Sequence, residues 1–191
     1  TRLEEAGSSG MPLGVALLDI DNFKRVNDTY GHQIGDDAIK ALGRTLANGI
    51  RGMGMVGRYG GEEFVVIMPG CDADASCRIA DRLRHDITTI EVPLDDDGGV
   101  LRITASFGVA NIDQQRLVVN GAELLRQADV GLYNAKRSGK NRFYLAGPDT
   151  TVMEMSDAER ARLAARERGE DAAVAIDAGA DAASTSSAPS V

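Results

Sequence analysis

The stretch Leu13–Ile20, LGVALLDI, limits the fold of this chain more than any other feature. It is mostly apolar, rich in Leu and Val, and it ends abruptly in acid. Its length and composition suit a buried strand. Alternation along such a strand puts Asp19 and Asp21 on one face, where both carboxylates can converge on one hard cation. Acids also mark the solvated ends of many strands, so the pair taken alone does not decide between these readings.

The rest of the chain alternates between two periodicities. From Gly35, the residues Ile39, Leu42, Leu46 and Ile50 trace one helical face, with Asp36 placed as its N-cap. Val56–Tyr59 and Phe64–Met68 flank Gly60-Gly61, a β-hairpin signal because glycine supplies the positive φ of a tight turn. Pro69–Asp72 breaks the second of these strands, and Ala75, Ile79, Leu83 and Ile87 mark a second amphipathic helix. Asp95–Gly99 is a turn between two strand candidates, Ile90–Leu94 and Val100–Ala110. Leu124, Ala128 and Leu132 give a third helix that Gly139 is placed to end, and Arg142–Leu145 is a final strand. This order predicts an α+β fold, a mostly antiparallel sheet with helices packed on one face.

Past Pro148 the texture changes. Ser156 and Glu159 form a capping box before a polar helix over Asp157–Arg168, and the remainder is small, acidic and poor in large apolar residues. Of the net charge of −8 carried by 191 residues, −5 falls in Gly147–Val191. The expected division is a short remnant of a helix or linker over 1–12, a folded domain over 13–146, and a largely disordered acidic, Ala/Ser-rich tail over 147–191. The acidic balance argues against a surface built to hold nucleic acid. No run of about 18 apolar residues exists to span a membrane, and no secretory signal opens the chain. The absent initiating Met suggests a fragment of a longer protein. Cys71 and Cys77 fit no zinc pattern and read as reduced thiols of a cytoplasmic domain, a disulfide being the alternative.

The chemistry concentrates at the hairpin. Tyr59-Gly60-Gly61-Glu62-Glu63-Phe64 combines two glycines, two acids and flanking aromatics, and a backbone without side chains lets a bulky ligand approach closely. If the Asp19 strand end lies beside this turn, three or four carboxylates surround one small volume. Such a cluster is unfavourable unless divalent cations neutralise it. An all-oxygen donor set favours Mg²⁺ or Mn²⁺ over zinc, and Mg²⁺ commonly shares its shell with phosphates.

These motifs resemble those of the GGDEF family of diguanylate cyclases, in its GGEEF variant. The matching stretches are DIDNFKRVNDTYGHQIGDD from Asp19, RYGGEEF from Arg58 and ADVGLYNAKRSGKN from Ala128. The resemblance implies a palm-like nucleotidyl cyclase fold, a central sheet flanked by helices with a hairpin carrying GGEEF. It also implies the condensation of two GTP into cyclic di-GMP with release of two pyrophosphates. Each subunit of a homodimer would bind one GTP, whose 3′-hydroxyl attacks the α-phosphate of the other. By position, Asp19, the carbonyl of Ile20 and Glu62 match the metal ligands, with two Mg²⁺ or Mn²⁺ expected per site and Asp21 aiding the second. Glu63 joins Asp19 and Glu62 in the catalytic cluster. Two metals suit such a reaction, one activating the attacking oxygen and one stabilising the leaving oxygen.

Substrate contacts follow in the same way. Asp36 and Asn27 match the guanine-binding residues, and a carboxylate is the natural acceptor for the paired N1–H and N2 donors of guanine. Asp36 as a helix cap and Asn27 as a turn residue are the plainer readings. Lys24, Lys136 and Lys140 match the triphosphate-binding cations; Lys140 stands where Arg is more usual and lacks the bidentate fork. Both later lysines also suit a helix C-terminus. Phe23, Gly61 and the backbone after Ile20 complete the expected phosphate cradle.

Two departures from the family pattern stand out. Its R-x-x-D product-inhibitory site is here Arg51-Gly52-Met53-Gly54, with Arg82 a loose match to a secondary arginine. The missing carboxylate predicts weak or absent product inhibition. The chain also begins after the family's D-x-L-T-x-L-x-N-R opening, an omission expected to impair folding or dimerisation. A sensor or receiver domain is expected before the fragment. Against the enzyme stands one main alternative, a catalytically silent GTP-binding module that regulates a neighbour. A palm acting on nucleic acid is disfavoured by the missing basic groove.

Overall fold

The structure, a computed structural model, describes residues 11–94, 98–112 and 121–151. In chain order the elements are β1 (Leu13–Ile20), α1 (Phe23–Gly49), β2 (Met55–Gly60), β3 (Glu63–Pro69), α2 (Ala73–Thr88), β4 (Glu91–Pro93), β5 (Val100–Arg102), β6 (Ala105–Ile112), α3 (Gly121–Arg137) and β7 (Phe143–Ala146). Five strands form one sheet in the order β2-β3-β1-β6-β7, and β4 pairs with β5 separately. All pairings in the large sheet are antiparallel except β6 with β7, which are joined by the crossover helix α3.

Every residue of β1 is buried, which explains its unbroken apolar sequence. The sheet is covered on both faces, not on one as the pattern suggested. Ala16, Leu18 and Ile20 face α1 and α2, packing with Leu42, Leu46, Leu83 and Ile87. Leu13, Val15 and Leu17 face α3, packing with Leu124, Ala128 and Leu132. Each large apolar side chain among these contributes about 1.5–3 kcal/mol on burial. Alternation therefore assigns Asp19 to the α3 side. The helix sits tightly there because a Cβ at Gly108 would collide with the Ala128 carbonyl and the Leu132 nitrogen.

Several boundaries differ from the sequence reading. The first helix starts at Phe23, and Asp36 lies inside it, so Asp36 is not an N-cap. A kink replaces the expected start: Gly31 has φ 81° and ψ 163°, values that interrupt the helix without ending it. Only glycine adopts that backbone at little cost. On α2 the buried face runs through Ser76, Ala80, Leu83 and Ile87, one residue offset at its start from the expected stripe. Asp72 caps this helix, accepting a 2.8 Å bond from the Ala75 nitrogen. The strand expected over Val100–Ala110 is two strands in different sheets, separated at Ile103-Thr104. Cys71 and Cys77 are free, partly buried thiols. The stretch 1–10, most of the Asp95–Gly99 turn, the polar helix over 157–168 and the tail from residue 152 lie outside the described residues.

Candidate functional site

The end of β1 meets two other elements. The ladder sets Asp19 opposite Glu63 of the hairpin and opposite Ser106 of β6. The C-terminal turn of α3 brings Lys136 onto the same point, its Nζ 2.8 Å from Asp19 Oδ2. Burial pushes the Asp19 carboxyl up to about 6, and the charges of Glu62 and Glu63 add to the rise; the Lys136 ammonium opposes it. A buried acid held beside two like charges is a place where a cation is wanted.

This point opens into a cavity of about 620 Å³. Its acids are Asp19, Asp21, Asp28 and Glu62, and its cations are Lys24, Arg25, Lys136, Arg137 and Lys140. Ile20, Asn22, Phe23 and Tyr133 complete the lining. Five cations and four acids in one concave volume suit a polyanion bound with a divalent ion. The first N–H groups of α1 have no acceptors one turn back and lie along this wall. Asn22 at the N-cap position makes no side-chain cap bond; its Oδ1 accepts instead from Lys140 Nζ at 2.6 Å. Arg137 donates to the Tyr133 hydroxyl at 2.8 Å and lies over its ring, 4.8 Å from the centroid.

Asp21, 6% exposed, is held by three donors. Ser106 Oγ donates to Oδ1 at 2.6 Å, and Thr104 Oγ1 and the Asn141 nitrogen donate to Oδ2 at 2.7 and 2.9 Å. Sequence reasoning does not reach Thr104, Ser106, Asn22 or Asn141. The signal that could find the first two is a pair of hydroxyls inside the apolar run Ile103–Val109, because a buried polar side chain requires a partner.

Other expected residues lie apart from the cavity. Glu63 and Gly61 do not line it; Gly61, at φ 50°, forms the hairpin tip, where its carbonyl accepts from Arg58 Nε at 2.7 Å. Asn27 and Asp36 do not line it either, and Asp36 is exposed. Asn27 lies across the Gly31 kink against Gly35, where any Cβ would collide with Asn27 Oδ1. That oxygen is buried and has no hydrogen-bond partner. The expected ring of three or four carboxylates is also looser than the sequence suggests. Among the described residues, no three His, Cys, Asp or Glu side chains stand close enough to hold a metal ion by themselves.

At the opposite end of α1, Arg51 donates to Asn48 Oδ1 at 3.2 Å and Arg82 to the Gly49 carbonyl at 2.7 Å. Both arginines thus reach the same helix terminus. Gly54 nearby is packed so closely that a Cβ would strike the Ile67 carbonyl. No helix among the described residues is long and apolar enough to cross a membrane.

Comparison with known proteins agrees with this fold. The family model described as diguanylate cyclase, GGDEF domain, matches residues 1–142. The chain is 38% identical over 139 residues to the response regulator PleD of Caulobacter vibrioides, covering 73% of this chain and 30% of that protein. It is 42% identical over 130 residues to the probable diguanylate cyclase DgcC of Escherichia coli, covering 68% and 34%. The chain thus spans about a third of the curated relatives it matches. Among solved structures, the GGDEF domain of PA1120 from Pseudomonas aeruginosa superposes with a TM-score of 0.70 at 29% identity, covering 78% of this chain and 92% of that one. The GGDEF domain of DgcB from Caulobacter crescentus, solved with c-di-GMP, gives 0.68 at 32% identity, covering 74% and 82%. A family model that covers most of the chain, with relatives 38% and 42% identical, settles membership: the chain belongs to the GGDEF-domain family of diguanylate cyclases.

Proposed function

We propose that this chain is the catalytic domain of a diguanylate cyclase that condenses two GTP into cyclic di-GMP. The observation that carries the reading is the juxtaposition of Asp19 and Glu62 with five cations around one cavity. The donor set fits a divalent cation: two carboxylates and the Ile20 carbonyl offer oxygen only, leaving the rest of an octahedral shell to phosphates and water. Mg²⁺ or Mn²⁺ is the expected ion, two per site. When bound, such ions supply charge neutralisation and Lewis-acid activation at the α-phosphate.

The chain's own residues do the rest. Lys24, Lys136 and Lys140, with the free N–H groups of α1, hold the triphosphate and spread its charge as pyrophosphate departs. Lys136, paired with Asp19 at 2.8 Å, would be free to turn to phosphate if that carboxylate held a divalent ion. Glu63 lies across the ladder from Asp19 and completes the acid cluster. The buried, unpartnered Oδ1 of Asn27 is an acceptor for guanine N–H, with Asp36 nine residues on along α1. Two copies of the domain face each other, each presenting one GTP. The 3′-hydroxyl of each attacks the α-phosphate of the other, a phosphodiester bond forms, and the bond to pyrophosphate breaks.

A catalytically silent GTP-binding module is the second reading, and the intact acid pair at Asp19 and Glu62 favours the enzyme. A sensor or receiver domain is the expected regulator, and PleD, a response regulator, is a relative of that kind. The cytoplasm, which supplies both GTP and Mg²⁺, is the expected location. The test incubates the protein with GTP and Mg²⁺ and resolves nucleotides by chromatography. Cyclic di-GMP is expected, falling about 10²-fold or more in Glu62→Ala; bound GTP without product would favour the module.

A further inference from the structure

The sequence reading expects Asp21 to aid at a second metal ion, yet three of the roughly four acceptor sites of its carboxylate are already taken. Oδ1 accepts from the buried Ser106 hydroxyl, and Oδ2 accepts from both Thr104 and the backbone N–H of Asn141. Its own nitrogen donates to the Thr104 carbonyl at 2.9 Å. Three segments meet on this one side chain: the turn after β1, the start of β6, and the loop Ser138–Arg142 between α3 and β7. That loop carries Lys140.

The loop is not in a conformation it would choose alone. Lys140 has φ 62° and Asn141 φ 45°, and Asn22, which receives the Lys140 ammonium, has φ 57°. Three non-glycine residues in the left-handed region at one point persist only where surrounding contacts impose them. The contacts on Asn141 are few and specific: its nitrogen donates to Asp21, and its side-chain oxygen accepts from Arg84 Nη1 at 3.1 Å. Of the two, the shorter bond to the Asp21 carboxylate comes from the backbone itself, and so acts directly on the loop's conformation.

We infer that Asp21 is a positioning residue which clamps the Ser138–Arg142 loop and so presents Lys140 to the substrate triphosphate, and that it is not itself a metal ligand. The inference rests on the functional reading above. Its chemistry separates two roles. An asparagine at position 21 can still accept from the Asn141 N–H through its oxygen while its amide donates to a hydroxyl that rotates to receive it. It cannot serve as an anionic ligand. A clamp therefore survives Asp21→Asn, and a metal site does not.

The test compares Asp21→Asn, Asp21→Ala and Asp19→Asn in the full chain, with three readouts. Mn²⁺ binding is measured by electron paramagnetic resonance without nucleotide, affinity for a non-reacting GTP analogue by calorimetry with Mg²⁺, and amide hydrogen exchange across 138–142 by mass spectrometry. Asp21→Asn should keep Mn²⁺ affinity within about threefold and keep the loop protected. Asp21→Ala should keep Mn²⁺ affinity, lose loop protection and bind the analogue about tenfold more weakly or worse. Mn²⁺ binding lost in Asp21→Asn as in Asp19→Asn would overturn the inference, as would a loop in Asp21→Ala protected like the wild type. If Asp21→Ala does not fold, Asp21→Ser takes its place in the loop-exchange arm, and the contrast between Asp21→Asn and Asp19→Asn decides the metal role. Unchanged Mn²⁺ binding in Asp19→Asn would refute the metal site itself, and loop exchange would still report on the clamp.

Discussion

Replacing Asp19 by Asn should stabilise the metal-free protein, and by an amount that depends on pH. The carboxyl titrates at about 6 in the folded chain and at 3.8 in the unfolded reference, chiefly because it is buried. A raised carboxylate value means that the folded state holds the proton more tightly. Its contribution to stability is therefore fully present below pH 3.8 and lost as pH rises through 6. A rise of this size corresponds to a penalty of about 3 kcal/mol at neutral pH. Asparagine abolishes that penalty and keeps an oxygen for Lys136, whose side chain is 35% exposed and can otherwise turn to water. The opposing Lys136 ammonium is already included in that value, so the gain should approach about 3 kcal/mol at pH 7.5 and fall to about 0.5 kcal/mol at pH 4. Urea unfolding in EDTA at the two pH values measures this directly, as a midpoint shift of about 1 M at the higher pH. Divalent metal should narrow the gap, stabilising the wild type by about 1.4 kcal/mol at tenfold excess over Kd and leaving Asp19→Asn unaffected. A variant less stable than wild type at pH 7.5, or a gap that does not change with pH, would refute the reasoning.

Two further substitutions probe the regions away from the acids. Gly35→Ala should drive Asn27 from its seat, because the new methyl meets Asn27 Oδ1 and then the Phe23 ring. GTP-analogue affinity should fall about tenfold, an effect calorimetry reads, with Mn²⁺ binding preserved. Product inhibition should be weak in the wild type, since Gly54 offers guanine no side-chain acceptor. Gly54→Asp should not restore it, as its Cβ strikes the Ile67 carbonyl and displaces the hairpin strand β3. Initial rates with added cyclic di-GMP check both statements, and submicromolar inhibition of the wild type would contradict the first.

Much of the site is legible in the sequence because its residues are local. Gly60-Gly61 with Glu62 and Glu63 announces a hairpin and its acids together. Asp19 follows an apolar run whose end can be located from the pattern alone. Asp36 is less well served. A carboxylate after a glycine, before a helical stripe, reads as an N-cap, yet the helix continues back to Phe23 through the Gly31 kink. Local pattern cannot distinguish a helix start from a helix resumed. The single strand expected over Val100–Ala110 fails for a similar reason: continuous β propensity gives no sign that the first part pairs with β4 and the second with β1.

The sequence by itself determined the alternation of strands and helices, the acids at two turns and the membership of a family, since each depends on neighbours within a few positions. The tertiary structure alone decided what those acids face. Asp19 meets Lys136 from the far end of the domain, and Asp21 meets Asn141 across 120 positions of chain. Such contacts depend on which face of β1 each residue takes and on how deeply α3 settles onto Gly108. Both are fixed by packing on the two faces of the sheet, and packing is a property of the assembled core. The acidic pair that looks alike in sequence is thereby divided, with Asp19 turned to a lysine and a cation's place, and Asp21 to three donors that hold a loop.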